Sequence, residues 1–251
     1  MIGALRTTLA VLFMAVIIPL AALIAFPWTF ISGKIDFLYW VGMKITRATV
    51  WFTGTKVRTV GLDKLDPAGT YIFMSNHVSN LDAPILVPLI PRRTSVLAKK
   101  EIWRIPVLAR ALDMGEIVPV ERHNREAAIQ SIRKASEVMQ HGINMTVYPE
   151  GTRSPDGRLL PFKKGPFHLA LETGFPIVPV TMLETFEMMP KGAWAAKGGT
   201  ATVVFHPPID PKKFSTREEL TETVAAAIES ALPEERQHLP RRHRDTGSTE
   251  K

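Results

Sequence analysis

The chain contains no cysteine. That excludes a disulfide framework, a thiolate metal centre and a cysteine nucleophile, and it fits a reducing compartment. Its seven histidines are scattered without metal-ligand spacing, so no metal site and no resident cofactor are expected. Acidic residues are in deficit, 24 against 31 basic ones, which leaves a net charge of +7 and an isoelectric point near 9.7. A basic excess favours an anionic partner such as phospholipid head groups, a phosphorylated substrate or nucleic acid. Nucleic acid is set aside: the basic residues form no recognised binding pattern. No internal repeat is present.

Charge is also missing from one long stretch. Between Thr7 and Gly33 there is no ionisable side chain, and most positions are Leu, Ile, Val, Ala or Phe. A membrane-crossing helix needs about 20 such residues. Neither the short apolar core nor the small-residue cleavage site of a secretory signal is evident. Pro19 and Pro27 leave two geometries open, a kinked spanning helix or a re-entrant hairpin in one leaflet. Trp28, Tyr39, Trp40 and Trp51 suit a membrane interface. Lys34, Lys44, Arg47, Lys56 and Arg58 follow the apolar run while Arg6 alone precedes it. This asymmetry predicts an inner-membrane protein whose main domain faces the cytoplasm.

What remains suits one domain. The 251 residues are 45% hydrophobic and 22% charged, enough for a real core. Residues 1–54 read as a membrane-anchoring segment of two helices, the second amphipathic over about Ile35–Gly54 and lying on the membrane surface. Residues 55–232 alternate strand and helix. Strands are expected at Tyr71–Ser75, Thr94–Ala98, Ile117–Val120, Asn144–Tyr148, Ile177–Thr181 and Thr200–Phe205. Helices are expected at Asp82–Ile90, Ile102–Met114, Arg125–His141, Pro166–Thr173 and Arg217–Leu232. The fold class is α/β: a mixed, largely parallel sheet flanked by helices, preceded by an apolar membrane-associated helical segment. Asn124 can cap the Arg125 helix and Gly142 can end it. Residues 233–251 are polar and basic without periodicity and are expected to be disordered.

Chemistry concentrates in two places. The first is Ser75-Asn76-His77-Val78-Ser79-Asn80-Leu81-Asp82, a turn after the Tyr71–Ser75 strand. A histidine has an ordinary pKa of roughly 6.5 and can act as a base near neutrality. Asp82, one turn further on, can hold the far ring nitrogen and stabilise the imidazolium. The plain alternative is a turn and helix cap. The second is Tyr148-Pro149-Glu150-Gly151-Thr152-Arg153, followed by Phe162-Lys163-Lys164-Gly165. Gly151 permits a turn, Arg153 offers a planar donor fork for phosphate, and Glu150 can accept from a substrate hydroxyl or orient a basic group. The plain alternative here is an ordinary surface turn. Lys99 ends a strand at the edge where α/β sites gather, and Arg122 is a further basic candidate. The apolar run Ile102–Leu108 suits either an acyl-chain wall or core.

In order and spacing these blocks resemble the glycerolipid acyltransferases, most closely the bacterial 1-acyl-sn-glycerol-3-phosphate acyltransferases, over about Thr70–Thr181. Asn76-His77…Asp82 resembles the family's first block. Ala98-Lys99-Lys100-Glu101 through Arg122 resembles the second. Tyr148 to Arg153 resembles the third, where Phe is usual in place of Tyr148, and Pro176-Ile177-Val178-Pro179-Val180 resembles the fourth. Ala109, Glu116 and Glu121 depart from the second block, which bears on the acceptor.

The resemblance implies that His77 and Asp82 are catalytic. It implies that Asn76, Lys99, Arg122, Glu150, Gly151, Thr152 and Arg153 serve substrate binding, and that backbone amides near Gly151 meet the oxyanion. The implied reaction carries an acyl group from acyl-CoA or acyl-carrier protein, as co-substrate, to the free sn-2 hydroxyl of lysophosphatidic acid at a phospholipid bilayer. Another lyso acceptor, such as a lyso-ornithine lipid, and a non-enzymatic lipid-binding role stay open.

Overall fold

A computed structural model describes residues 2–104, 106–120 and 125–237. The N-terminal segment forms two antiparallel helices, α1 (Ile2–Ser32) and α2 (Asp36–Phe52). The remainder runs β1 (Thr55–Val60), β2 (Ile72–Ser75), α3 (Asp82–Leu86), β3 (Thr94–Lys99), α4 (Pro106–Met114), β4 (Val118–Val120), α5 (Arg125–Gln140), β5 (Asn144–Val147), α6 (Lys164–Thr173), β6 (Ile177–Leu183), α7 (Thr185–Met188), β7 (Gly199–Phe205) and α8 (Arg217–Glu229). The seven strands make one sheet in the order β1-β7-β6-β2-β5-β3-β4. Only the β6–β7 pairing is antiparallel.

Alternation along the strands builds a core on each face of the sheet. Ile72 and Met74 of β2 join Met145, Val147 and Ile177 under α5, α6 and α8. Phe73 points the other way, into a cluster with Val178, Val180, Ile85, Leu86 and Val50 of α2. β2 and β6 are therefore mostly apolar, as a sheet covered on both faces requires.

The α1–α2 hairpin lies along the second face. α2 is tied to the domain by the Arg47 guanidinium donating to the Pro88 carbonyl, by the Thr94 N–H donating to the Tyr39 hydroxyl at 3.2 Å, and by an Asp36–Arg93 contact at 3.9 Å. α1 packs back over α2, with Phe13 against Phe52 at 4.8 Å. Near its start, Thr7 Oγ1 accepts from the Ala196 N–H at 2.8 Å. Near its end, Arg110 sits 5.8 Å from the Phe30 ring centre. Held at both ends, α1 runs along the domain instead of projecting from it. Its 31 residues cover roughly 46 Å at 1.5 Å per residue. Only Thr7, Ala10, Ala25 and Thr29 are buried, and the Leu, Ile and Val side chains are largely exposed. Both prolines lie inside one continuous helix.

Three features differ from the sequence expectation. β1 was not expected: it is an edge strand whose only buried residue is Thr55, so it shows no apolar alternation to read. The Asp82–Ile90 and Ile102–Met114 segments each divide into an α-helix and a 3-10 turn, breaking at Pro88 and next to Pro106. Residues 233–237, expected to belong to a disordered tail, form an ordered turn whose end is held to the domain. Arg236 stacks 4.5 Å from the Phe186 ring centre, pairs with Glu187 and accepts through its carbonyl from the Leu159 N–H at 2.9 Å. The expected cap Asn124 and the tail beyond Gln237 lie outside the described residues. Gly142, at φ +77°, does end α5.

Candidate active site

β2 and β5 are parallel neighbours, with Met74 beside Val147. Both end at the same sheet edge, so the turns that follow them are brought together there. The β2 turn carries His77 and the β5 turn carries Tyr148 to Arg153.

His77 Nδ1 lies 2.8 Å from Asp82 Oδ2. The same oxygen accepts from the Val78 and Ser79 amides, each at 2.7 Å, and Asp82 Oδ1 accepts from the Thr185 hydroxyl at 2.7 Å. Asp82 is fully buried, while the His77 side chain keeps 20% of its surface exposed. Four partners thus fix the carboxylate in place against the imidazole. Such a carboxylate draws the ring proton to Nδ1 and leaves the Nε2 lone pair free, the tautomer a general base needs. Tyr148 stacks on the imidazole with ring centres 4.1 Å apart and planes inclined by 24°. Its hydroxyl is buried and has no hydrogen-bond partner among the described residues, and burial pushes the phenol well above its ordinary range.

The two turns are also laced together through their backbones. Glu150 Oε1 accepts from the His77 N–H at 2.7 Å and Oε2 from the Leu160 N–H at 3.0 Å. The His77 carbonyl in turn accepts from the Ser154 N–H at 2.8 Å. Glu150 is buried, which pushes its carboxyl up to about 8 against the pull of the two amide donors, with the nearby Asp82 charge adding to the rise.

The geometry corrects several expectations. Glu150 is only 1% exposed, with its oxygens turned to the His77 and Leu160 amides, so burial keeps it from a substrate hydroxyl. Asn76 is not presented to substrate either. Its amide nitrogen donates to the Met182 carbonyl at 3.1 Å, its oxygen accepts from the Met182 N–H at 2.7 Å, and only 1% of it is exposed. It locks the β2 turn to β6. Amides near Gly151 were expected to meet the oxyanion; the Gly151 N–H itself donates to the Tyr148 carbonyl at 2.9 Å. Gly151 instead supplies a positive φ of 71°, and a side chain there would press on Lys163 Cγ.

Thr152 is exposed on the turn, and Arg153 is half-buried with no hydrogen-bond or ion-pair partner among the described residues. Lys163 is exposed beside them. Lys99 is the last residue of β3, at the same sheet edge, and Arg122 lies outside the described residues. Sequence reasoning missed Thr185. It is the first residue of α7, just past β6 and 103 residues from Asp82, and no local pattern announces it. No cluster that could hold a metal ion occurs among the described residues.

Residues 56–183 match the acyltransferase family. A 1-acyl-sn-glycerol-3-phosphate acyltransferase of Limnanthes douglasii is 36% identical over 201 residues, 80% of this chain and 70% of its own length. A Borreliella burgdorferi protein of the same name is 30% identical over 188 residues, 74% of this chain and 75% of its own. The crystal structure of the 1-acyl-sn-glycerophosphate (LPA) acyltransferase from Thermotoga maritima superposes with a TM-score of 0.74 at 28% identity, covering 91% of this chain and 95% of that one.

Proposed function

The chain belongs to the acyltransferase family, and from that premise we propose that it esterifies the free hydroxyl of lysophosphatidic acid with an acyl thioester. The observation that carries this reading is the His77–Asp82 pair, buried on the aspartate side and open on the histidine side at the C-terminal sheet edge.

His77 Nε2 takes the hydroxyl proton as the oxygen attacks the thioester carbon. Asp82 stabilises the imidazolium that forms. The tetrahedral adduct then collapses, the C–S bond breaks, and the imidazolium returns the proton to the departing thiolate. The acceptor brings its own nucleophile, so no acyl-enzyme is needed. Oxyanion donors come from the Thr152 and Arg153 amides, which have no partner among the described residues. Arg153 and Lys99 meet the acceptor phosphate, and the donor is acyl-CoA or acyl-carrier protein. The exposed apolar flank of α1 with its Trp28, together with Trp40 and Trp51 of α2, lies in one leaflet and holds the domain against the cytoplasmic side of the bilayer.

The test is to incubate purified protein with lysophosphatidic acid and acyl-CoA, then with acyl-carrier protein, and follow phosphatidic acid and free thiol. Wild type should form both products. His77→Ala should lose on the order of 10²–10⁴ in rate. Equal activity of the two proteins would sink the dyad mechanism, and thiol release without phosphatidic acid would point to another acceptor.

A further inference from the structure

The segment between α7 and β7 reads Met189-Pro190-Lys191-Gly192-Ala193-Trp194-Ala195-Ala196-Lys197. Trp194 is the most exposed large apolar side chain among the described residues of the catalytic domain, at 69%, and Lys191 and Lys197 are exposed on either side of it. A soluble loop gains nothing by holding an indole in water between two ammonium groups. An anionic bilayer surface accepts both, the ring at the head-group level and the lysines against the phosphates.

Two contacts fix where this loop sits. On one side it touches the start of α1: the Ala196 N–H donates to Thr7, and a side chain at Gly3 would collide with the Ala196 carbonyl at 2.6 Å. The loop is thus continuous with the exposed apolar flank of α1, where Ile2 and Leu5 are 69% and 62% exposed. On the other side it touches the catalytic turn. Asn80 Nδ2 donates to the Ala193 carbonyl at 3.2 Å, and the Asn80 N–H and Ser79 hydroxyl both donate to the Met189 carbonyl, at 3.1 and 2.7 Å.

We infer that the Lys191–Lys197 loop is a membrane contact of the catalytic domain itself, with Trp194 inserted at the head-group level of an anionic leaflet. Together with α1 it makes a two-point seating. Because the loop is bonded to the turn that carries His77 and Asp82, the depth of Trp194 sets the height of the active site above the lipid. This rests on the membrane reading given above and adds to it a specific site and a preference for anionic lipid.

The absence of cysteine makes the test direct. Trp194→Cys and, on the opposite layer, Glu222→Cys each give a single site for a nitroxide label in the full-length chain. With vesicles of phosphatidylcholine and phosphatidylglycerol, the label at position 194 should become shielded from a water-soluble nickel chelate and accessible to oxygen, while that at 222 stays in water. Trp194→Ala should weaken vesicle binding about tenfold. Lys191→Glu with Lys197→Glu should weaken binding to anionic vesicles by at least roughly fivefold per lysine and leave binding to neutral vesicles unchanged.

If the protein sediments with vesicles while the label at 194 stays as water-exposed as that at 222, this inference is overturned and the membrane reading stands. If the protein ignores vesicles altogether, both fall. Shielding at 194 that rises with protein concentration in the absence of lipid would assign the loop to a second copy instead.

Discussion

Three side chains around the β2 turn make separable contributions. Asp82 accepts four hydrogen bonds. Asp82→Asn would turn an NH₂ group toward donors and remove the charge opposite the imidazolium. We expect kcat to fall by on the order of 10⁴, read alongside a melting curve to separate chemistry from folding. Tyr148 holds a buried hydroxyl with no partner among the described residues, a defect worth about 1–3 kcal/mol. Tyr148→Phe keeps the stack on His77 and should raise the melting temperature by a few degrees, about 2–4 °C per kcal/mol at this size. An unchanged or lower melting point would mean that the hydroxyl has a partner in solution. Glu150 carries the pH dependence. Burial lifts its carboxyl to about 8 in the folded protein, so the folded state holds that proton more tightly than the unfolded chain does. The stabilisation is complete below the ordinary carboxylate range and is lost as the pH rises toward 8. Melting temperatures of wild type should therefore fall more steeply between pH 5 and 8 than those of Glu150→Gln. Parallel curves would refute the assignment.

At the scale of elements, the site depends on how turns are moored to strands. Asn76 spans 106 residues to reach Met182 with both ends of its amide. Asn76→Ala leaves a buried N–H and C=O unsatisfied and should cost about 2–6 kcal/mol at 1–3 kcal/mol for each orphaned group. Denaturant unfolding measures that loss, and activity should fall with it because the His77 turn is released. The local periodicity of β2, β5, β6 and α5 made these elements legible, since apolar residues on covered strands and helices recur at fixed spacing. β1 was not legible because its side chains face solvent, and α7 is only four residues long, too short to show a period.

Across the whole molecule, charge and apolar surface act together. A net charge of +7 and the long exposed flank of α1 predict vesicle binding with two components. Raising the salt concentration shortens the screening length to roughly 3 Å at 1 M and should remove the preference for anionic lipid. The apolar component should survive. Sedimentation with neutral and anionic vesicles across a salt series separates them, and binding that vanishes entirely at high salt would deny α1 its role.

The sequence by itself determined the composition-level facts: an uncharged N-terminal stretch, the absence of thiol chemistry, and two blocks, His77 to Asp82 and Tyr148 to Arg153, whose residue types suit base catalysis and phosphate binding. These are local, because each block lies within a single turn after a single strand. Which of those residues face a substrate was decided only by the tertiary structure. Glu150 and Asn76 carry the same polar groups as true substrate ligands. Packing β5 and β6 on either side of β2 buries both side chains and turns them toward backbone groups of the neighbouring turns and strands. Thr185 and the Trp194 loop gained their meaning in the same way, from neighbours far away in the chain that only the folded sheet brings within contact.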